Sequence, residues 1–306
     1  PISKANEEEV YQFTHEFNTE KKIADYIEMH PEWESDRDSL MQLVSNVLLV
    51  ENPKSPGYYS PRTELQTDHV EIDKEGHVER IYSTSWSELP EPQRSTFIRL
   101  ANYFRDDRQS KLWTERAGPK LDVLRFSSKM LICGEDLGQF TDSILQSLKN
   151  AGFLSLRVQR MPKYLFETFD DYQKFPYLSV ACPGTHDSPS LRGWWESEHE
   201  TCRKFWYEVL KHNEPFPESL SPDIQEQIIS QNLWTDSMWA IFLFQDLVGM
   251  DSCLRNRTRP DEEQINDPSN PNHRWCYRYP YTTDEILGCR GFLGHLRDLS
   301  FRSGRL

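Results

Sequence analysis

The sequence predicts an α/β fold built on parallel strands, and three observations carry that expectation. Four short apolar runs follow one another from residue 129: "MLICG", "FLSLRVQ", "PYLSVACPG" and "MWAIFLFQDL". They are continuous rather than alternating, the pattern of strands covered on both faces. The stretches between them are long enough for the crossovers that parallel neighbours require. A (β/α)8 barrel and an open doubly wound sheet both satisfy these observations, and four strands are in view.

The elements follow in order. Residues 1–128 are charge-rich and carry helical periods in "EEEVYQFTHEF" and "DSLMQLVSNVLLV". A loop with Pro, Ser and Tyr, "ENPKSPGYYSPRTEL", comes next, and a further helix is expected around "QRSTFIRLANYFRDD". The acidic runs "NEEEV" and "HPEWESDRDS" are solvated helix faces on this reading. After "MLICG", the segment "TDSILQSLKNAG" offers Thr141 or Asp142 as a helix cap. Ile144, Leu145 and Leu148 share one face of that helix, and Gly152 stops it. A long helical stretch begins near Ser190, and Phe205, Trp206 and Tyr207 on it are assigned to packing.

Composition narrows the function. The chain has 306 residues, 37% hydrophobic and 27% charged, with a formal net charge of -14. That length supports a substantial core, whereas the charge disfavours nucleic acid, because phosphate binding needs a concentrated Lys/Arg face. No run reaches the roughly 18 apolar residues of a membrane helix, so no membrane association is expected. The chain opens "PISKANEEEV" without a charged-then-apolar leader. Its six cysteines show no CxxC and no zinc-type spacing. Cys133 and Cys182 lie in apolar runs, as small buried hydrophobes do, and a reducing, cytoplasmic compartment is expected. Neither a Gly-rich phosphate loop nor a metal cluster is visible, so no cofactor and no metal are expected.

Chemistry enters at the strand ends. In both candidate folds the ligand site lies at the carboxyl ends of parallel strands. Glu135 follows "MLICG" directly and Asp187 follows "SVACPGTH", so two acids from different strands can converge over one pocket. Such a pair suits glycosyl transfer, where one carboxyl protonates the leaving oxygen and another attacks or stabilises an oxocarbenium-like centre. Divalent-metal ligation needs more ligands than "GED" and "THD" supply. Helix capping or pairing with Arg192 is the plain alternative, and on spacing alone it has even standing.

The segments "MLICGEDLG", "LSLRVQRMPK", "FPYLSVACPGTHD", "LRGWWE" and "INDPSNPNHRWCYRY" decide between these. Their order and spacing resemble the amylomaltase or 4-α-glucanotransferase family, the disproportionating enzymes. The resemblance runs from about residue 40, through "LVSNVLLV" and "YYSPRTEL", to "FRSGRL". It implies a retaining transferase on a (β/α)8 TIM barrel, of which this chain covers roughly the second half. Residues 1–128 would be a helical and loop-rich region inserted in or flanking the barrel, and 129–306 would hold barrel strands five to eight with their helices.

By the same resemblance, Glu135 is the general acid/base at the end of the fifth strand. Asp187 is the third acid, at the end of the seventh, binding sugar hydroxyls and stabilising the transition state, with His186 hydrogen-bonding the same sugar. Asn266 resembles a residue of the loop on the acceptor side; Arg62 matches a position near the active site but stays outside the catalytic set, since an arginine beside a proline in a loop is often only a surface residue. The implied partners are maltooligosaccharides or a branched α-glucan. Trp194, Trp195, Trp275 and Tyr277 are candidate stacking platforms; Trp194 and Trp275 are expected to bind substrate, and at least one of the Trp194–Trp195 pair is expected in the core.

One family element is missing. The nucleophile is an Asp in an Arg-x-Asp-His motif upstream of "GEDLG", and the sole Asp-His pair here, Asp68-His69, lacks both the arginine and the preceding apolar strand. The expectation is that the nucleophile lies outside this chain, in an N-terminal part of the same enzyme, and that the isolated chain is inactive. A carboxylate that becomes esterified loses its charge, which lets one neighbouring acid act first as donor and then as acceptor. A glucan-binding or scaffold protein and an α-glucan hydrolase are the alternatives.

Overall fold

A computed structural model describes residues 2–4, 11–44, 49–51, 54–61, 70–72, 78–81, 86, 89–137, 142–164 and 167–306. Arg62, Asp68, His69 and Thr141 lie outside the described residues. The chain divides into two compact units, Pro1–Lys111 and Leu112–Leu306.

Among its described residues, the first unit holds three two-stranded antiparallel ribbons: β1 (Ile2–Lys4) with β2 (Tyr11–Phe13), β3 (Leu49–Glu51) with β4 (Tyr59–Pro61), and β5 (Val70–Ile72) with β6 (Val78–Ile81). Helices α1 (Glu20–Met29), α2 (Arg37–Val44) and α3 (Glu91–Asn102) accompany them. Thr19 caps α1 by accepting from the Lys22 N–H at 3.2 Å, and Ile23 and Ile27, one turn apart, form its buried face. The helical periods over "EEEVYQFTHEF" and "DSLMQLVSNVLLV" are therefore only partly realised. Tyr11–Phe13 pairs as a strand with Ile2–Lys4, and α2 stops at Val44 before β3. Ladder bonds to a neighbouring segment here override the helical period, which is a weak prior. The expected helix at "QRSTFIRLANYFRDD" forms as α3 and runs on through a π-helical turn, Tyr103–Gln109.

The second unit contains the parallel sheet that the apolar runs announce. Its strands are β7 (Cys133–Gly134), β8 (Leu154–Val158), β9 (Ser179–Cys182) and β10 (Trp239–Ala240). They lie side by side in chain order, every pair parallel. Their register sets Gly134 level with Ser155, and Ser155 level with Ser179. Helix α4 (Ser110–Ser127) precedes the sheet, and α5 (Asp142–Ala151) crosses from β7 to β8, ending at Gly152 with φ +69° as its C-terminal signal required. Helices α6 (Leu191–Ser197), α7 (His199–Glu208) and α8 (Pro222–Leu233) connect β9 to β10. Then come α9 (Phe244–Val248), α10 (Thr283–Gly288) and α11 (Arg290–Arg302).

Helices supply most of the core. Leu191, Trp194, Trp195, Phe205, Ile229 and Leu299 pack in one buried cluster drawn from α6, α7, α8 and α11. Three expectations need correction. Cys133 is exposed, because β7 is an edge strand of this sheet, whereas Cys182 on the inner strand β9 is buried and its thiol is pushed up to about 12 by that burial. Tyr207 is 42% exposed although its neighbours Phe205 and Trp206 are buried, since consecutive helical residues face about 100° apart. The run "MWAIFLFQDL" yields only two strand residues before it turns into α9.

Candidate functional site

The site is built at the carboxyl end of the sheet. Glu135 leaves β7 directly and is exposed. Its position is determined by the next residue, Asp136, which is buried. Asp136 Oδ1 accepts the Leu156 N–H at 2.7 Å and its Oδ2 accepts the Ser155 hydroxyl at 2.6 Å, so the carboxylate takes a ladder partner's place beside β8. Lys163, 2% exposed, ion-pairs with the same carboxylate at 3.0 Å and also donates to the Asp136 carbonyl. Burial depresses the Lys163 ammonium, and Asp136 opposes that shift. Two charges removed from water this far need each other, so the pair pins the backbone on which Glu135 stands.

Asp187 lies five residues beyond β9, in a turn that its own side chains close. Ser188 Oγ accepts the Thr185 N–H at 3.0 Å and donates to the Thr185 carbonyl at 2.9 Å. Asp187 Oδ1 then accepts from Asn266 Nδ2 at 2.5 Å and stands 3.3 Å from His186 Nε2. The Asn266 N–H returns to the His186 carbonyl at 3.0 Å, and the rings of His186 and Trp275 lie 4.8 Å apart. Asp187, His186, Asn266 and Trp275 thus form one constellation, from segments that lie 79 residues apart. Trp275 is 60% exposed, available as an apolar surface.

Glu135 belongs to the same end of the sheet. One strand separates β7 from β9, so the strands that lead into the two acids run about 10 Å apart at the usual spacing. Trp194 is placed differently from its expectation. It is 3% exposed, edge-on to Trp195 and Phe205 in the core, and so offers no face to a ligand. Trp195 is fully buried, and Arg192, the alternative partner for the acids, pairs with Glu263 at 3.0 Å instead.

Sequence reading missed the residues beneath the site. Glu263, 2% exposed, accepts from Ser190 Oγ at 2.7 Å, from Thr258 Oγ1 at 2.8 Å and from Arg192. It joins the start of α6, just after the Asp187 turn, to the segment that carries Asn266. Burial pushes the Glu263 carboxyl up, while Ser190, Thr258 and the nearby guanidinium groups resist. Asp246 on α9 is fully buried, accepts the Leu191 N–H at 2.7 Å and is pushed up to about 7 by burial. Among the described residues, no group of three or more His, Cys, Asp or Glu is placed to hold a metal ion, and no helix is long and apolar enough to cross a membrane.

Chemically, the constellation can bind a neutral polyhydroxyl ligand. Asp187 keeps Oδ2 for a hydroxyl donor while Oδ1 is committed, His186 and Asn266 present both donors and acceptors, and Trp275 offers a face for stacking.

The chain is similar to known proteins. The 4-alpha-glucanotransferase family profile matches residues 71–283. A rice (Oryza sativa subsp. japonica) protein, 4-alpha-glucanotransferase DPE2, is 32% identical over 96% of this chain and 30% of its own length. A 4-alpha-glucanotransferase of Chlamydia trachomatis is 30% identical over 54% of the chain and 31% of its own length. The chain therefore spans under a third of these curated relatives. Among solved structures, an amylomaltase from Streptococcus agalactiae in complex with acarbose aligns with TM-score 0.46 and 20% identity, over 61% of this chain and 35% of that one. With two thirds of its length inside the matched profile, and with "GEDLG" and "THD" at its strand ends, this chain is a member of the 4-alpha-glucanotransferase family.

Proposed function

We propose that the chain supplies the acid/base half of a retaining 4-α-glucanotransferase that moves α-1,4-glucan segments between maltooligosaccharides or onto branched α-glucan. The observation that carries this reading is the convergence of Asp187, His186, Asn266 and Trp275 at the sheet end that also bears Glu135. In this reaction Glu135 protonates the leaving glycosidic oxygen and later removes the proton of the incoming sugar hydroxyl. Asp187, its Oδ1 held by Asn266, binds ring hydroxyls with its free oxygen, and those contacts strengthen as the sugar approaches an oxocarbenium-like transition state. Trp275 stacks on the sugar and excludes water, which favours a sugar acceptor over hydrolysis.

The nucleophile is supplied by polypeptide outside these 306 residues, since no Arg-x-Asp-His motif is present in the sequence. The four strands are strands five to eight of a (β/α)8 barrel. Their unbroken sequential order supports this, because an open doubly wound sheet reverses order at its switch point. Residues 1–128 are then a region inserted in or flanking the barrel. Six free cysteines suit the reducing cytoplasm.

The test is incubation with maltotriose and analysis of product lengths. The chain with the nucleophile-bearing polypeptide yields both shorter and longer saccharides, the chain alone yields none, and Glu135→Gln lowers turnover by about 10²- to 10⁴-fold. Glucose and maltose alone would make the protein a hydrolase, and binding without conversion in the assembled protein would make it a glucan-binding module.

A further inference from the structure

Arg160 has no place in the chemistry above, yet its head group is built into the turn that carries Asp187. It stands two residues past β8. Its Nη2 donates to Ser188 Oγ at 2.8 Å and to the Pro189 carbonyl at 2.5 Å, two acceptors on the C-terminal limb of the turn. The guanidinium lies over the Trp194 ring, 5.2 Å from its centroid. It is also pressed against Gly184, where a Cβ would come within 2.1 Å of Nη2. Trp194 and a bare glycine backbone both pack against the planar group.

Nε and Nη1 are screened from solvent and make no hydrogen bond among the described residues, while Asp246 and Glu198 supply opposing charge at longer range. The directional contacts of this cation are therefore the two to the turn, and charge-assisted hydrogen bonds are the strong ones. Trp194, buried in the helical core, is also the aromatic ring on which Arg160 rests.

We propose that Arg160, packed against Gly184 and Trp194, is a positioning residue that holds the Thr185–Pro189 turn so that Asp187 and His186 meet the substrate in the geometry of the transition state. This rests on the reading of Asp187 as a substrate-contacting acid. A residue acting this way governs turnover more than capture, because a displacement near 1 Å at a reacting centre costs about 10²-fold in rate.

The experiment compares Arg160→Met, Arg160→Lys and Ser188→Ala in the complete transferase, by hydrogen exchange of the peptide covering residues 183–190 and by kinetics with maltotriose. In Arg160→Met, exchange in that peptide accelerates about tenfold or more while the α8 peptide, residues 222–233, is unchanged. Its kcat falls about 10²-fold with KM within about threefold of the parent. Arg160→Lys, which keeps a donor, recovers part of both effects. Ser188→Ala, which leaves the buried cation in place, shifts both in the same direction by less. Unchanged exchange at 183–190, a rise in KM at constant kcat, or faster exchange throughout the unit would overturn the proposal. A complete transferase that never converts maltotriose overturns the functional reading instead, and the exchange result still decides whether Arg160 orders the turn.

Discussion

Asp261, Glu262 and Glu263 are three consecutive acids with different fates. The side chains of the first two are 70% and 53% exposed and pair with Arg259 in water, where such pairs contribute little. The third is buried under the site as the partner of Arg192, and nothing in the run marks it. Asp246 is another acid kept from water, and its behaviour with pH follows from that. Burial raises its folded pKa from the ordinary 3.8 to about 7, against the Leu191 N–H and Arg160, which favour the charged form. Between those values the folded protein holds a proton that the unfolded chain has released. The stability contributed by neutral Asp246 is complete below the unfolded pKa and is lost as pH rises through about 7. Asp246→Asn, whose Oδ1 still accepts the Leu191 N–H, should remove that decline. Urea midpoints followed from about pH 4 to 8 should flatten in the variant relative to the parent.

At the scale of elements, the site depends on how α6 begins. Ser190 caps that helix by accepting the Gly193 N–H at 3.2 Å, and its hydroxyl proton goes to Glu263 at 2.7 Å. One side chain therefore ends the Asp187 turn, starts the helix and ties down the Asn266 segment. Ser190→Ala should cost about 1–2 kcal/mol in urea unfolding, the usual loss of a cap together with a donor withdrawn from a buried carboxylate. The beginning of α6 was legible from "SLRGWW", where Ser precedes an apolar helical period. The second bond of the same hydroxyl was not, because its acceptor arrives 73 residues later.

Over the whole molecule, stability in the unit Leu112–Leu306 rests on helices packed behind a sheet whose two outer strands have two residues each. Trp195 is central to that packing. Fully buried, it stacks on Phe216 at 5.2 Å, meets Trp206 edge-on at 6.3 Å and donates its indole N–H to the Pro217 carbonyl at 2.8 Å. Trp195→Ala should cost about 3–5 kcal/mol, read as a lower denaturation midpoint, because the cavity closes only in part. Its neighbour Trp194 is equally apolar and equally buried, yet it supports Arg160. "GWW" does not distinguish the two, since both lie on the covered side of one short helix.

By itself the sequence determined the alternation of apolar runs and helices, the parallel sense of the four strands, the stop at Gly152, and the placing of Glu135 and Asp187 at the strands' carboxyl ends. These are local matters of period, punctuation and chain direction, and a one-dimensional pattern encodes them. Tertiary structure alone decided that Tyr11–Phe13 is a strand, that Cys133 is open while Cys182 is covered, that Asn266 closes on Asp187, and that Glu263 and Arg160 lie beneath them. Apart from Tyr11–Phe13, whose ladder partner Ile2–Lys4 is near in sequence, each of these depends on which distant segment the chain brings back against a residue. Desolvation and hydrogen-bond partners arise from that return and have no counterpart in local spacing.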